Sequence, residues 1–334
     1  MQKTTIIFSH GGGRLANQLT NFAHFISFYE EYKNKFDIIN IAFAPYAEYF
    51  ESTKNQGLSL NEENPTPNKK FKVIQKLFLL KSRSSRILRK VLIKGTHLLY
   101  GILPGKQSII VGDYPNHYSM LLGRKFTMFD INNPDMIKIL SSHQETIIAG
   151  WPIRSWELFE KHKDIVRSKF KFVKEIDNRA ESCINEIRTG FDMIVGVFIR
   201  QTDYKRWLNG KYYFSGNMYA KWMKEVENLF PDKKIVFLIS SDQKQDLSLF
   251  TGLNVRFVTG NPFGDDPFII NFAELSKCDY ILSPPSTYGA WCSFLNNIPL
   301  ICVYNSNQSI TNMDILENNI FEAFKHPFMS EAIN

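Results

Sequence analysis

Four short segments place charged or polar side chains directly after apolar runs, the position at which a parallel α/β sheet presents groups to a ligand. In Phe198–Tyr204 (FIRQTDY) an apolar run ends on Arg200, and Asp203 follows three residues later. A guanidinium offers a planar, bidentate fork that matches phosphate. A carboxylate at that spacing can take a proton from a hydroxyl, or can pair with the arginine and aim it. In Ser240–Gln243 (SSDQ), Asp242 follows a second apolar run. It can accept hydrogen bonds from a base or ribose, or cap a following helix. In Ser283–Trp291 (SPPSTYGAW), two prolines halt a third run and Ser286-Thr287 open a helix. Two hydroxyls and free backbone N–H groups there can hold a phosphate, or Ser286 serves only as the cap.

The fourth segment, His10–Gln18 (HGGGRLANQ), sets three glycines before Arg14, Asn17 and Gln18. Glycines suit a tight turn, and polar groups at a helix start reinforce backbone N–H groups that favour an anion. Gly11, Gly13 and Ala16 formally fit a dinucleotide fingerprint. That motif also uses an acid at the end of the next strand, and the next apolar run ends at Ala44-Pro45 without one. His10 and His24 flank the segment; His24 falls on the helix, where packing is the simpler role. Trp207, Tyr212, Tyr213 and Phe214 follow the Arg200 segment. Such rings suit the apolar face of a sugar and serve equally well in loop packing.

These groups need a frame. Thr4–Phe8 reads as a buried strand, and Leu19, Phe22, Ile26 and Tyr29 recur at helical spacing after the glycines. Ile38–Ala44 reads as the next strand. In the second half, Met193–Ile199, Lys234–Ser240, Asn254–Val258, Tyr280–Ser283 and Pro299–Tyr304 read as strands. The helices between them are expected from Ser215 to Phe230, after Pro267 with Asp265 and Asp266 at its positive end, and from Ser286 to Asn296. Strands alternating with helices give parallel sheets with right-handed crossovers. The loops after Ile199, Ser240 and Ser283 should then share one edge.

At 334 residues with 44 % hydrophobic and 22 % charged, the chain can bury a sizeable core, which excludes disordered and low-complexity classes. No 18-residue apolar run suggests a membrane span, and the N-terminus lacks the pattern of a signal peptide. Cys183, Cys278, Cys292 and Cys302 have no paired CxxC spacing, which argues for reduced thiols in a cytoplasm rather than zinc or disulfides. A net charge of +7 favours an anionic partner. Much of it falls between Asn64 and Gly112, where eleven Lys and Arg residues interleave with apolar ones and no acid occurs. This basic insert is expected to form one or two amphipathic helices. They would face an anionic membrane surface or pack on the first domain with solvated lysines. A phosphate-tracking arm on a nucleic-acid-binding protein is the alternative class, but no recognised nucleic-acid module accompanies it.

The four segments in this order resemble the bacterial galactoside α-1,2-fucosyltransferase family. Its G-R-L-G-N-Q stands here as Gly13–Gln18, and its H-I-R-R-G-D-Y as Phe198–Tyr204. The end of its S-x-S-W-W-G-A-W stands as Ser286–Trp291, and Ile147–Phe172 is similar to its G-Y-x-Q-S-x-x-Y-F segment. The chain departs where the family's His is Phe198 and its second Arg is Gln201. An Asp of the family falls on Asn271, with Asp266 and Glu274 nearby.

The resemblance implies two Rossmann-like α/β domains facing a cleft, the GT-B arrangement, with the basic helical insert about 64–112 in the first. Residues 1–188 would form the acceptor-side domain, 189–305 the nucleotide-sugar domain and 306–334 a C-terminal tail. It implies inverting, metal-independent transfer of fucose from GDP-fucose to a hydroxyl of an oligosaccharide or lipid-linked glycan, with no cofactor and no nucleic acid. The protein would be cytoplasmic, or peripheral at the inner face of a bacterial membrane. Arg200 and Asp203 are the expected catalytic residues. Arg14, Asn17, Arg200, Asp242, Asn271, Ser286 and Thr287 would bind the donor, and His10, Trp207 and Tyr212 the acceptor. The changes at Phe198 and Gln201 also admit a protein that binds a nucleotide sugar without turning it over.

Overall fold

Apolar β-formers build the first strand and set up the first sheet. In the computed structural model, which describes residues 3–10, 13–61, 107–111, 129–149, 153–260 and 268–316, β1 (Thr4–His10) leads into α1 (Leu15–Tyr32) and β2 (Phe36–Asn40). Short α2 (Glu51–Gln56), β3 (Gln107–Val111), β4 (Phe129–Asp130) and α3 (Pro134–Ser141) follow. After them come β5 (Glu145–Ala149), β6 (Ile153–Arg154), α4 (Trp156–Lys161) and α5 (Lys163–Lys169). The sheet order is β2-β1-β5-β3, all parallel, and β4 pairs with β6. Leu19, Phe22 and Ile26 of α1 are buried as their spacing predicts, and Phe22, Phe43, Phe50 and Phe170 form a ring cluster.

Two expectations are corrected here. The strand predicted over Ile38–Ala44 stops at Asn40. The Asn40 side chain accepts a hydrogen bond from the Phe43 N–H at 3.2 Å and opens a 3-10 helix, Ile41–Tyr49, in which Pro45 cannot serve a sheet ladder. Of the stretch read as basic helices, Gln107–Val111 is strand β3, paired in parallel with β5, as the run Ile109-Ile110-Val111 favours. The rest of that stretch, with all its Lys and Arg side chains, lies outside the described residues, as do Asp265, Asp266 and Pro267.

The chain divides into two compact units between Lys171 and Phe172. The second begins with α6 (Lys174–Arg188), which packs on its own unit although the expected boundary placed it in the first domain. Then follow β7 (Met193–Ile199), α7 (Gly216–Leu229), β8 (Ile235–Ser241), β9 (Val255–Phe257), α8 (Phe268–Leu275), β10 (Tyr280–Ser283) and α9 (Thr287–Asn296). The last elements are β11 (Leu300–Cys302) and β12 (Ile315–Leu316). The order is β12-β11-β10-β7-β8-β9, parallel except for β12. Every residue of β7 and β8 is buried, which is why these strands are apolar without alternation. Because β10, β7 and β8 are adjacent and parallel, the loops after Ile199, Ser241 and Ser283 leave the sheet at one edge, as expected. The four cysteines are unpaired and three are buried. No helix among the described residues is long and apolar enough to cross a membrane.

Candidate active site

At the carboxyl end of β7, the Arg200 guanidinium donates to both oxygens of Asp203, Nε at 2.9 Å and Nη2 at 2.5 Å. Its Cζ lies 4.6 Å from the centre of the Tyr204 ring. The arginine side chain is 26 % exposed and the aspartate 51 %, so the pair is fixed yet reachable from solvent. Burial opposes the guanidinium's charge. The Asp203 hydrogen bond and the nearby Tyr204, Asp203 and Asp242 outweigh burial and hold the pKa above its ordinary value. Arg200 is therefore a permanent cation.

Asp242, at the end of β8, does not cap a following helix. Its carboxylate reaches across to the β7 loop and accepts from the Gln201 N–H at 2.8 Å, the Thr202 N–H at 3.1 Å and the Thr202 hydroxyl. The Asp242 N–H in turn donates to the Ile199 carbonyl at 3.2 Å. Gln201, where the resembling family has a second arginine, is buried. Its Nε2 donates to the Phe214 carbonyl at 2.8 Å, and its Oε1 accepts from Gln245 at 2.9 Å. It ties the loop to its surroundings and adds no charge at the edge.

The loop after β10 is joined to this arrangement by Tyr204, whose buried hydroxyl donates to the Pro285 carbonyl at 2.5 Å. Burial pushes the Tyr204 phenol well above its ordinary pKa, so it stays a donor. Ser286 caps α9 by accepting from the Tyr288 N–H at 3.1 Å, and Thr287 begins the helix. Gly289 lets that first turn press on β10: a Cβ there would come within 2.1 Å of Ser283 Oγ. Phe198, in place of the family's histidine, stacks on Tyr288 at 4.5 Å.

Asn271 lies on α8 at 3 % exposure, and its Oδ1 has no hydrogen-bond partner. One turn on, the Leu275 side chain sits over Gly196 of β7. The orphaned oxygen is therefore placed toward the end of the strands from which the Arg200 loop departs. Glu274 is consumed structurally: it accepts from the Thr259 N–H at 2.8 Å and from the Thr259 hydroxyl. Burial raises its pKa against those hydrogen bonds. Trp207 is half-buried beside Tyr204, while Tyr212 is wholly buried behind it.

In the first unit, Arg14 is exposed at the N-cap of α1. Gly13 has φ +82°, and a Cβ there would meet Asn17 Nδ2 at 2.0 Å, so the glycine lets Asn17 fold back on the turn. His10 ends β1, but its side chain is outside the described residues. His24 has the packing role expected of it, edge-on to Trp156 and Phe159. Sequence reading missed Arg154, a buried guanidinium whose Nη1 donates to Asn21 at 2.8 Å and whose pKa burial pushes down to about 9. It missed the Gln201 and Tyr204 contacts as well, for which no spacing is a signal.

Among the described residues no group of three His, Cys, Asp or Glu side chains gathers as a metal site. No family model and no curated protein matches the chain. Solved structures do. The structure of an Arabidopsis thaliana FUT1 mutant in complex with GDP matches at 13 % identity and a TM-score of 0.53, over 94 % of this chain and 73 % of that one. POFUT1 in complex with GDP matches at 10 % identity and 0.51, over 90 % and 99 %. The fucosyltransferase NodZ from Bradyrhizobium matches at 13 % identity and 0.50, over 96 % and 100 %. At these identities the likeness is one of fold: this chain has the mixed α/β fold, with parallel sheets, of fucosyltransferases.

Proposed function

We propose that the protein transfers fucose from GDP-fucose to a hydroxyl of a glycan, with inversion and without a metal, a terminal galactose in α-1,2 linkage being the first acceptor to test. The carrying observation is Arg200 itself: a permanent, bidentate-capable cation, aimed by Asp203 at the carboxyl edge of a parallel sheet. The shared fold with GDP-bound structures supports the choice of donor.

In the reaction the acceptor oxygen bonds to the anomeric carbon as the bond from that carbon to the β-phosphate oxygen breaks. The electron pair leaves on GDP, and the acceptor proton passes to a base or to water. Negative charge grows on the diphosphate, where a preorganised cation stabilises it more than it stabilises the ground state. Arg200 is our assignment for that role, with the dipole of the N-terminal turn of α9 beside it. Asp203, with both oxygens on Arg200, is assigned as the residue that orients the cation. Asp242 holds the loop, and the Asn271 oxygen is assigned to a donor N–H on the nucleobase.

Incubating the protein with GDP-fucose and galactosides in EDTA tests this. Acceptor-dependent release of GDP is expected. Turnover that only magnesium or manganese restores overturns the metal-free mechanism. GDP-fucose binding without any turnover identifies a binding protein instead, the outcome that the inward-turned Gln201 would then explain.

A further inference from the structure

We infer that the Trp207 ring is a platform for the apolar face of a hexopyranose in the acceptor, preorganised by a left-handed turn; this rests on the transferase reading above. After Trp207 the backbone turns through Leu208 (φ 46°, ψ 45°), Asn209 (φ 56°, ψ 30°) and Gly210 (φ 78°). A leucine in this region is uncommon and is held only where its surroundings fix it. Here they do. The Asp203 carbonyl accepts from both the Arg206 and the Trp207 N–H at 3.0 Å, the Lys211 N–H donates to Leu208 at 3.1 Å, and the Tyr213 N–H donates to Gly210 at 3.0 Å. The turn thus hangs from the residue whose carboxylate aims Arg200.

The rings form a short row. Tyr204 lies under the Arg200 guanidinium, the Trp207 centroid is 4.8 Å from Tyr204, and Tyr212 is 5.7 Å from Trp207. Tyr204 and Tyr212 are 3 % and 0 % exposed, and Trp207 alone of the three is half-open. Lys205 and Lys211 lie over the neighbouring Tyr213 and Tyr212 rings at 5.5 and 5.3 Å, and Asn209 is exposed. A partly open indole in a fixed turn that also carries exposed Lys205, Asn209 and Lys211 suits a sugar ring, which has C–H groups on one face and hydroxyls at its edge. A second, independent protein partner would call for a wider apolar patch than one ring.

The test uses full-length protein carrying 5-fluorotryptophan, with the Trp207 resonance identified by its loss in Trp207→Phe. Methyl glycosides of galactose, glucose, mannose and N-acetylglucosamine are the probes, with and without GDP. The Trp207 signal should shift saturably with at least one of them. In turnover assays Trp207→Ala should raise the acceptor KM by about tenfold or more. Trp207→Phe should keep most of the acceptor affinity. Asn209→Val, a β-branched residue forced to positive φ, should weaken it as the alanine variant does. A Trp207 signal that no glycoside moves, or an unchanged acceptor KM in Trp207→Ala, overturns the platform while normal turnover leaves the transferase reading standing. Saturable sugar binding at Trp207 in a protein that never consumes GDP-fucose supports the platform and removes the transferase.

Discussion

On helix α1 of the first unit, Gln18, Asn21 and His24 are buried within the packing. At the carboxyl edge of the second sheet, Arg200, Asp203 and Asp242 are held by hydrogen bonds and stay partly open to solvent. Both regions hold polar side chains in fixed places, one along a helix and the other past the ends of strands. They differ in what holds those side chains and in what they can reach. A buried histidine between aromatic rings stabilises one arrangement of the core. A half-open arginine fixed by a carboxylate is ready to meet charge that appears during a reaction. Under the proposed function catalysis belongs to the fastened, wet edge and packing to the dry helix face, and substitutions on the two sides can break that division.

The largest effect is expected at Arg200. Arg200→Ala should lower kcat by about 10²–10³, the scale for losing one preorganised donor to a developing charge. Arg200→Lys should recover little, since it keeps the charge and loses the fork. Folding should hardly change, because a half-exposed ion pair contributes little to stability. A folded alanine variant that keeps most of its kcat would make the second edge as structural as the first unit's helix.

Asp203→Asn comes next. The amide keeps the shape but offers one oxygen to a fork that now takes two. The orienting role predicts that donor affinity weakens by about tenfold and kcat falls with it. Unchanged GDP affinity with kcat down by about 10² or more identifies Asp203 as the general base. Initial rates together with GDP calorimetry separate the two.

At Asp242 the expected effect moves from rate to stability. Asp242→Ala leaves the Gln201 and Thr202 N–H groups and the Thr202 hydroxyl without their carboxylate partner. A loss of about 1–3 kcal/mol is expected, read from urea unfolding. A stability equal to wild type would show the loop to be held by other contacts.

How much of this could be seen in the residues depends on whether a group is set by the local chain. The strands Met193–Ile199 and Tyr280–Ser283 and the Ser286 cap were legible, because apolar run length and cap chemistry are local. So was the shared edge of the three loops, which follows from parallel topology. Asn40 ended a strand early because its own side chain competed for a backbone N–H, a choice the apolar run Ile38-Ile39 conceals. Asp242 was legible as a residue of the edge but not as a clamp on Gln201, 41 residues away. Trp207 and Tyr212 look alike in the sequence, yet on either side of the left-handed turn one is half-open and the other sealed.

The smallest effect belongs to the dry side of the comparison. His24 is fully buried, and burial first, then the charge of Arg154, lowers its pKa well below 6.5 against a hydrogen bond to the Ser155 carbonyl, 3.1 Å from Nδ1. In the neutral ring that burial favours, Nδ1 can instead accept from the Ser155 N–H, also at 3.1 Å. The folded chain therefore keeps His24 unprotonated at pH values where the unfolded chain takes up a proton. Stability is fully present above about pH 6.5 and declines below it, with a slope of at most about 1.4 kcal/mol per pH unit from this one group. His24→Gln keeps an acceptor for Ser155 and removes the titration. Hydrogen exchange of the α1 amides between pH 8 and pH 5 should show wild type losing protection below pH 6.5 more steeply than the variant. Parallel profiles would mean that His24 takes up its proton in the folded state, and that the first unit's polar helix face is open to water after all.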